Sequence, residues 1–132
     1  MKKLLAAIAV MVSMLAFGGC AVHMSDVKSD MAQNQGVVKV FDCDIKTAHD
    51  VAKTVLKENK RIDAVEDDGD VLYAGSTMSL IGVHFRAIDA THTQITARSR
   101  RKGPININTD ISETDFFQAF EQRLNALKSS GK

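Results

Sequence analysis

The residues of this chain best suited to chemistry are four histidines, two cysteines, an acidic turn and a set of arginines at alternating positions. His23, His49, His84 and His92 are dispersed, and none shares an element with a second His or Cys at zinc-ligand spacing. Asp63, Glu66, Asp67, Asp68 and Asp70 invite calcium. An EF-hand loop with Gly69 sixth, however, would place Ala64 first and Gly75 twelfth, so both required carboxylates are missing. The stretch reads instead as a charged hairpin turn that discourages edge pairing. No metal and no cofactor are expected. There is no Gly-x-Ser-x-Gly, P-loop, dinucleotide glycine pattern or Cys-x-x-Cys, and Gly75-Ser76-Thr77 has no triad context. Glu58 and Glu121 fall on exposed helix positions with no apolar pocket to raise their pKa. The chain is therefore expected not to be an enzyme.

The arginines are the most suggestive set. Arg86, Arg98 and Arg100 alternate along two expected strands and project onto one sheet face, with Arg101 and Lys102 in the turn beyond. Guanidinium arrays bind phosphate and carboxylate groups, which makes these five residues the candidate anion or partner surface. They would equally serve as a solubilising face that offsets the acidic hairpin. Only Tyr73 could offer a stacking platform nearby, so no nucleic-acid partner is expected.

Composition constrains less than position does. The 132 residues are 45% apolar and 25% charged with a net charge of +1, the profile of one ordinary domain. The first twenty residues are unlike the remainder. Lys2 and Lys3 precede an apolar run from Leu4 to Phe17, broken only by Ser13, and the run closes on Gly18-Gly19-Cys20. This is the three-part layout of a secretory signal peptide. As a helix the run would reach roughly 21 Å, short of a hydrocarbon core about 30 Å thick. Phe17-Gly18-Gly19-Cys20 resembles the lipobox of bacterial lipoproteins, with Phe in place of the usual Leu. That resemblance implies cleavage before Cys20 and acylation of Cys20, hence a membrane anchor that does not span. Several acyl chains, at about 0.8 kcal/mol per buried CH₂, make such attachment stable. Ala21 stands where the family's inner-membrane retention signal has Asp, so the resemblance implies the outer membrane, periplasmic face, with the inner membrane as the alternative.

Removing residues 1–19 takes the basic count from 17 to 15 against 16 acidic residues, leaving a near-neutral mature chain. Residues 20–36, the lipidated Cys and a mostly small or polar stretch, read as a flexible tether with a root-mean-square reach of roughly 20–24 Å. Residues 37–132 then form a single domain. With Cys20 acylated, Cys43 is left alone. It reads as a buried small hydrophobe, with an intermolecular disulfide or reactive thiol as alternatives, and Asp42 and Asp44 beside it disfavour a thiolate.

Within the domain, Val37 to Phe41 reads as a strand. Asp44 caps a helix whose stripe is Ile45, Ala48, Val51, Ala52, Val55 and Leu56, stopping near Asn59. Ile62 to Glu66 and Val71 to Ala74 flank an Asp-Gly hairpin signal. Leu80 to Ile88 and Thr93 to Arg100 alternate in polarity, and a three-residue loop would pair Phe85 with Ala97, matching the apolar faces where a two-residue loop would not. Lys102-Gly103-Pro104 ends that strand, and Ile105 to Asp110 is a connection or short edge strand. Ser112 caps a second helix, Glu113 to Lys128, carrying Phe116, Phe117, Phe120, Leu124 and Leu127. The order β-α-β-β-β-β-α predicts an α+β fold, an antiparallel four- to five-stranded sheet with two helices on one face and a wet opposite face.

In element order and size the domain resembles uncharacterised small periplasmic α+β lipoprotein families and, more loosely, accessory lipoproteins of outer-membrane barrel assembly. The expected function is a lipid-anchored envelope lipoprotein acting as a non-catalytic interaction or structural module facing the periplasm. Its partners would be the membrane, through the anchor, and an envelope protein, peptidoglycan or anionic lipid. A small-ligand or lipid carrier, with a cavity between Phe116, Phe117, Phe120 and the strands, is the first alternative. An unrecognised envelope hydrolase is the second.

Overall fold

A computed structural model describes residues 24–33, 35–76, 79–101 and 111–131. The elements are α1 (Met24–Ala32), β1 (Val37–Phe41), α2 (Ile45–Glu58), β2 (Ala64–Asp67), β3 (Val71–Gly75), β4 (Ser79–Asp89), β5 (His92–Arg101) and α3 (Glu113–Ser130). Residues 1–23, with Cys20 and His23, lie outside the described residues, as do Lys102 and the connection at 105–110.

The strands make one antiparallel five-stranded sheet in the order β1-β5-β4-β3-β2, so the fold is α+β as expected. Helices α2 and α3 pack on one sheet face. Each starts at a side-chain cap: Asp44 accepts from the Thr47 amide at 3.3 Å, and Ser112 accepts from the Asp115 amide at 3.1 Å. The expected stripe of α2 buries Ala48, Val51, Ala52, Val55 and Leu56, whereas Ile45 at its start stays exposed. Phe116, Phe117 and Phe120 of α3 are 3%, 1% and 0% exposed, and Phe41 packs its ring 5.9 Å from Phe117 and 4.7 Å from Phe120. Rings therefore fill the space between α3 and the strands. Two buried polar contacts close the layers at their ends: Thr93 Oγ1 donates to the Cys43 carbonyl at 2.8 Å, and the Ile111 amide donates to Ser79 Oγ at 3.0 Å.

The β4–β5 register differs from expectation. Phe85 lies opposite Ile95, and Ala97 lies opposite Val83. The loop has two residues, Ala90 and Thr91, and the ladder shifts by one position between Ala87 and Asp89. That irregularity inserts Ile88 as an extra, exposed residue. A two-residue loop alone would set the apolar faces against each other, but the bulge adds the residue that brings them back into phase.

The second difference is larger. Residues 24–32 are not a flexible tether; they form α1, a third helix that lies on the sheet face expected to be wet. Val27 is fully buried there and Asp30 is 4% exposed. Gly82 of β4 makes room for it, since a Cβ at that position would stand 2.7 Å from Val27 Cγ1 and 3.4 Å from Met31 Cγ. Lys28 Nζ sits 4.8 Å above the Tyr73 ring and 4.0 Å from Glu66. The chain enters β1 from α1 through Gly36 at φ 138°, a left-handed conformation beside the Ala97 carbonyl that favours glycine. A nine-residue helix is marginal alone in water, so α1 owes its order to this docking.

Candidate functional site

Alternation along β4 and β5 brings Gly82, His84 and Arg86 to the same sheet face as Thr96, Arg98 and Arg100. The sequence reading therefore places these arginines on the correct face, but it misses what covers them. Asp30 of α1 reaches down between two of them. Its Oδ2 accepts from Arg98 Nε at 3.0 Å and from Arg100 Nε at 2.6 Å, while Oδ1 accepts from Arg100 Nη2 at 2.7 Å. The two bonds from Arg100 give a bidentate fork.

The Asp30 side chain is 6% exposed, against 33% for Arg98 and 39% for Arg100. The Arg100 fork is the largest influence on the carboxyl and pulls its pKa down to about 2, against an opposing push from burial and with Arg98 adding to the pull. Reciprocally, Asp30 raises the Arg100 pKa, and Asp26 one turn earlier acts in the same direction. The contacts also orient the helix: from Asp30 at Arg98 and Arg100 the chain runs toward Gly36 beside Ala97, away from the Arg100 end of β5. Arg86 and Arg101 are exposed and stand apart from this cluster. Of the five candidate residues, then, Arg98 and Arg100 converge on one internal carboxylate, Arg86 and Arg101 face solvent, and Lys102 lies outside the described residues.

The opposite end of the sheet is rich in aspartate and gathers three histidines that the sequence left scattered. His49 Nε2 and Lys53 Nζ of α2 contact Asp67 of β2 at 3.0 and 2.9 Å. Lys53 first and His49 second hold the Asp67 carboxyl at about 2. These residues line part of a groove of about 410 Å³ with Ile45, Lys46, Gly69, Asp70 and Phe85. His84 lies 3.6 Å from Asp70. His92 sits between two carboxylates, Nδ1 2.9 Å from Asp89 and Nε2 3.0 Å from Asp42, and tethers the β4–β5 turn to the segment after β1. Hydrogen bonding to Asp89 is the main cause of its raised pKa. The Asp89 carboxyl is held at about 2, by the Thr91 amide first and His92 second. His49 meets Asp67 across 18 positions of sequence, a separation that local spacing could not reveal.

A second groove, of about 460 Å³, opens between α2 and α3 over Val55, Leu56, Ile111, Phe116 and Ala119. The ion pair Arg123–Glu58 bridges the two helices beside it, and Arg61–Asp115 ties the segment after α2 to α3, both at 3.4 Å. It lies outside the Phe-filled space in which the sequence located a carrier cavity. Cys43 is buried, and burial first, then Asp44 and Asp42, raise its thiol pKa against an opposing pull from Lys128. Among the described residues no three His, Cys, Asp or Glu side chains group as a metal site, and no helix is long and apolar enough to cross a membrane. No family model matches this chain, and no curated protein matches it either.

Proposed function

We propose that this chain is a lipid-anchored lipoprotein of the bacterial cell envelope, on the periplasmic face of the outer membrane, acting as a non-catalytic interaction or structural module. The observation that supports this reading most directly is the position of α1. The candidate acylation site Cys20 stands four residues before a helix that is fixed to the domain through buried Asp30 and Val27. An anchor at Cys20 would thus be joined to a built part of the fold. The non-catalytic part of the reading draws on electrostatics. Asp30, Asp67 and Asp89 are each held at about 2 by cationic or amide donors, the opposite direction from the near-neutral value a general acid or base needs. Replacing Cys20 (Cys20→Ser) should abolish labelling by radioactive palmitate and move the protein from the membrane to the soluble periplasmic fraction. Unchanged membrane fractionation would defeat the reading.

The groove between α2 and α3 favours a second reading, a carrier of a small apolar ligand, because its volume falls in the range of small-molecule sites. Saturable binding of a fluorescent fatty acid, abolished by Ala119→Phe, would support it; binding that ignores this substitution would remove it.

A further inference from the structure

The docking of α1 changes what an anchor at Cys20 can do, and the following rests on the anchoring reading above. Only four chain steps separate Cys20 from Met24, a span of at most about 14 Å. A tether of sixteen flexible residues would let the domain tumble, whereas a link this short ties the lipid to one particular place on the fold. That place is fixed by residues already described. Asp30 bonds Arg98 and Arg100, while the chain that leaves α1 meets Ala97 at Gly36, so α1 runs away from the end of the sheet where β5 finishes in Arg100 and Arg101. Gly75, Leu80 and Arg100 lie side by side at that end.

The turns at the other end are Asp67-Asp68-Gly69-Asp70 between β2 and β3, and Asp89 with Asp42 around His92. Lys46, Lys53 and Arg86 offset only part of this negative charge. At the end near the anchor, Arg98 and Arg100 on the face that α1 covers are balanced by Asp26 and Asp30, and Arg101, on the opposite face, is exposed. Bacterial membranes rich in anionic lipid repel the aspartate-rich end and leave the balanced end near the anchor free to approach. The short covalent link and the charge distribution therefore select the same end of the molecule.

We infer that α1 holds the domain in one orientation on an anionic lipid surface, with the Arg100 and Arg101 end of the sheet against the headgroups and the aspartate-rich turns pointing into the periplasm. Ten residue steps along β4 put those turns about 33 Å farther from the lipid. The Arg98–Asp30–Arg100 cluster is then a joint that transmits the position of the anchor to the sheet.

The test uses the acylated full chain, extracted from bacterial membranes and reconstituted in vesicles of phosphatidylethanolamine and phosphatidylglycerol. A fluorophore is attached after Thr114→Cys or after Ala90→Cys, both exposed sites; Cys43 is buried. Thr114 follows Glu113, whose carboxylate accepts from the Ser99 amide at 2.7 Å and so marks the near end, whereas Ala90 is in the β4–β5 turn. Quenching by lipids with a nitroxide headgroup should be at least threefold stronger at position 114. Ten Gly and Ser residues inserted between Ala21 and Val22 disturb no described residue and should bring the ratio close to one. Replacing phosphatidylglycerol with phosphatidylcholine should lower it. Acylated protein with equal quenching at both sites, or stronger quenching at 90, overturns the orientation while leaving the anchor in place. A ratio that survives the insertion overturns the role of α1, and one indifferent to lipid charge overturns the electrostatic selection of that end. Absence of acyl mass on Cys20 overturns the anchoring reading itself, and the orientation falls with it.

Discussion

Asp30 and Arg100, seventy residues apart in sequence, share a two-bond fork of 2.6 and 2.7 Å that fastens the N-terminal helix to the sheet. The fork leaves Asp30 almost fully buried, so its strength depends on both partners being present. Removing the arginine strands a buried carboxylate, whereas removing Asp30 leaves two partly exposed arginines and takes away the fork that ties α1 to the sheet.

Replacement of Asp30 (Asp30→Ala) should therefore release α1 and leave the α2–α3 core intact. The expected signs are loss of amide-exchange protection across residues 27–31, retained protection in β3, β4 and β5, and a Tm lower by about 5–10 °C. Protection of α1 that survives the substitution would show that Val27 and Gly82 hold the helix without the ion pair.

Gly36 makes the turn between α1 and β1 at φ 138°, and a Cβ there would stand 2.6 Å from the Ala97 carbonyl oxygen. Gly36→Ala meets strain and a backbone clash together and should lower stability by about 1–3 kcal/mol. Denaturant titration measures it, and a neutral result would mean that β1 shifts to absorb the methyl group.

His92 between Asp89 and Asp42 gives the fold a pH dependence of defined sign. Its pKa is raised on folding, so its contribution is complete below its unfolded value near 6.5 and fades as pH climbs through the raised folded value. The Tm difference between the unmodified chain and His92→Asn should be largest at pH 6 and below and shrink toward zero by pH 9. Asp30, Asp67 and Asp89 act at the other limit. Their carboxyls are held at about 2, so what they contribute is intact above about 4 and disappears as pH falls toward 2. A Tm difference for His92→Asn that grows above pH 7 would contradict the assignment.

Phe120 is fully buried and packs against Phe41 and Phe116. Truncation by Phe120→Ala should cost about 3–5 kcal/mol, read from the shift in denaturant midpoint. A loss under 1 kcal/mol would mean that the neighbouring rings collapse into the space.

How far these relationships could be read from sequence depends on whether they are local. The α2 stripe, the caps at Asp44 and Ser112 and the Asp-Gly turn each lie within a few residues, and each is visible as a pattern. Helix α1 is not, because among its residues 26–32 only Val27 and Met31 bury apolar side chains and the rest of the docking runs through a carboxylate. A buried Asp is unreadable until its partners are known, and Arg98 and Arg100 lie far along the chain. The register of β4 and β5 was hidden for another reason: polarity alternation fixes which residues share a face, yet it is blind to a bulge paired with a shorter loop. The arginine face was legible as a face but not as an occupied one.

The Asp30 clamp also bears on how the chain can be cut for laboratory use. A boundary at Val37, natural if residues 20–36 were a tether, would discard α1 and uncover Tyr73, Gly82, Arg98 and Arg100 together. Such a fragment would capture phosphate, polyanionic resins and acidic proteins through guanidinium groups that the whole chain keeps engaged, and its catch in a binding assay would report the cut.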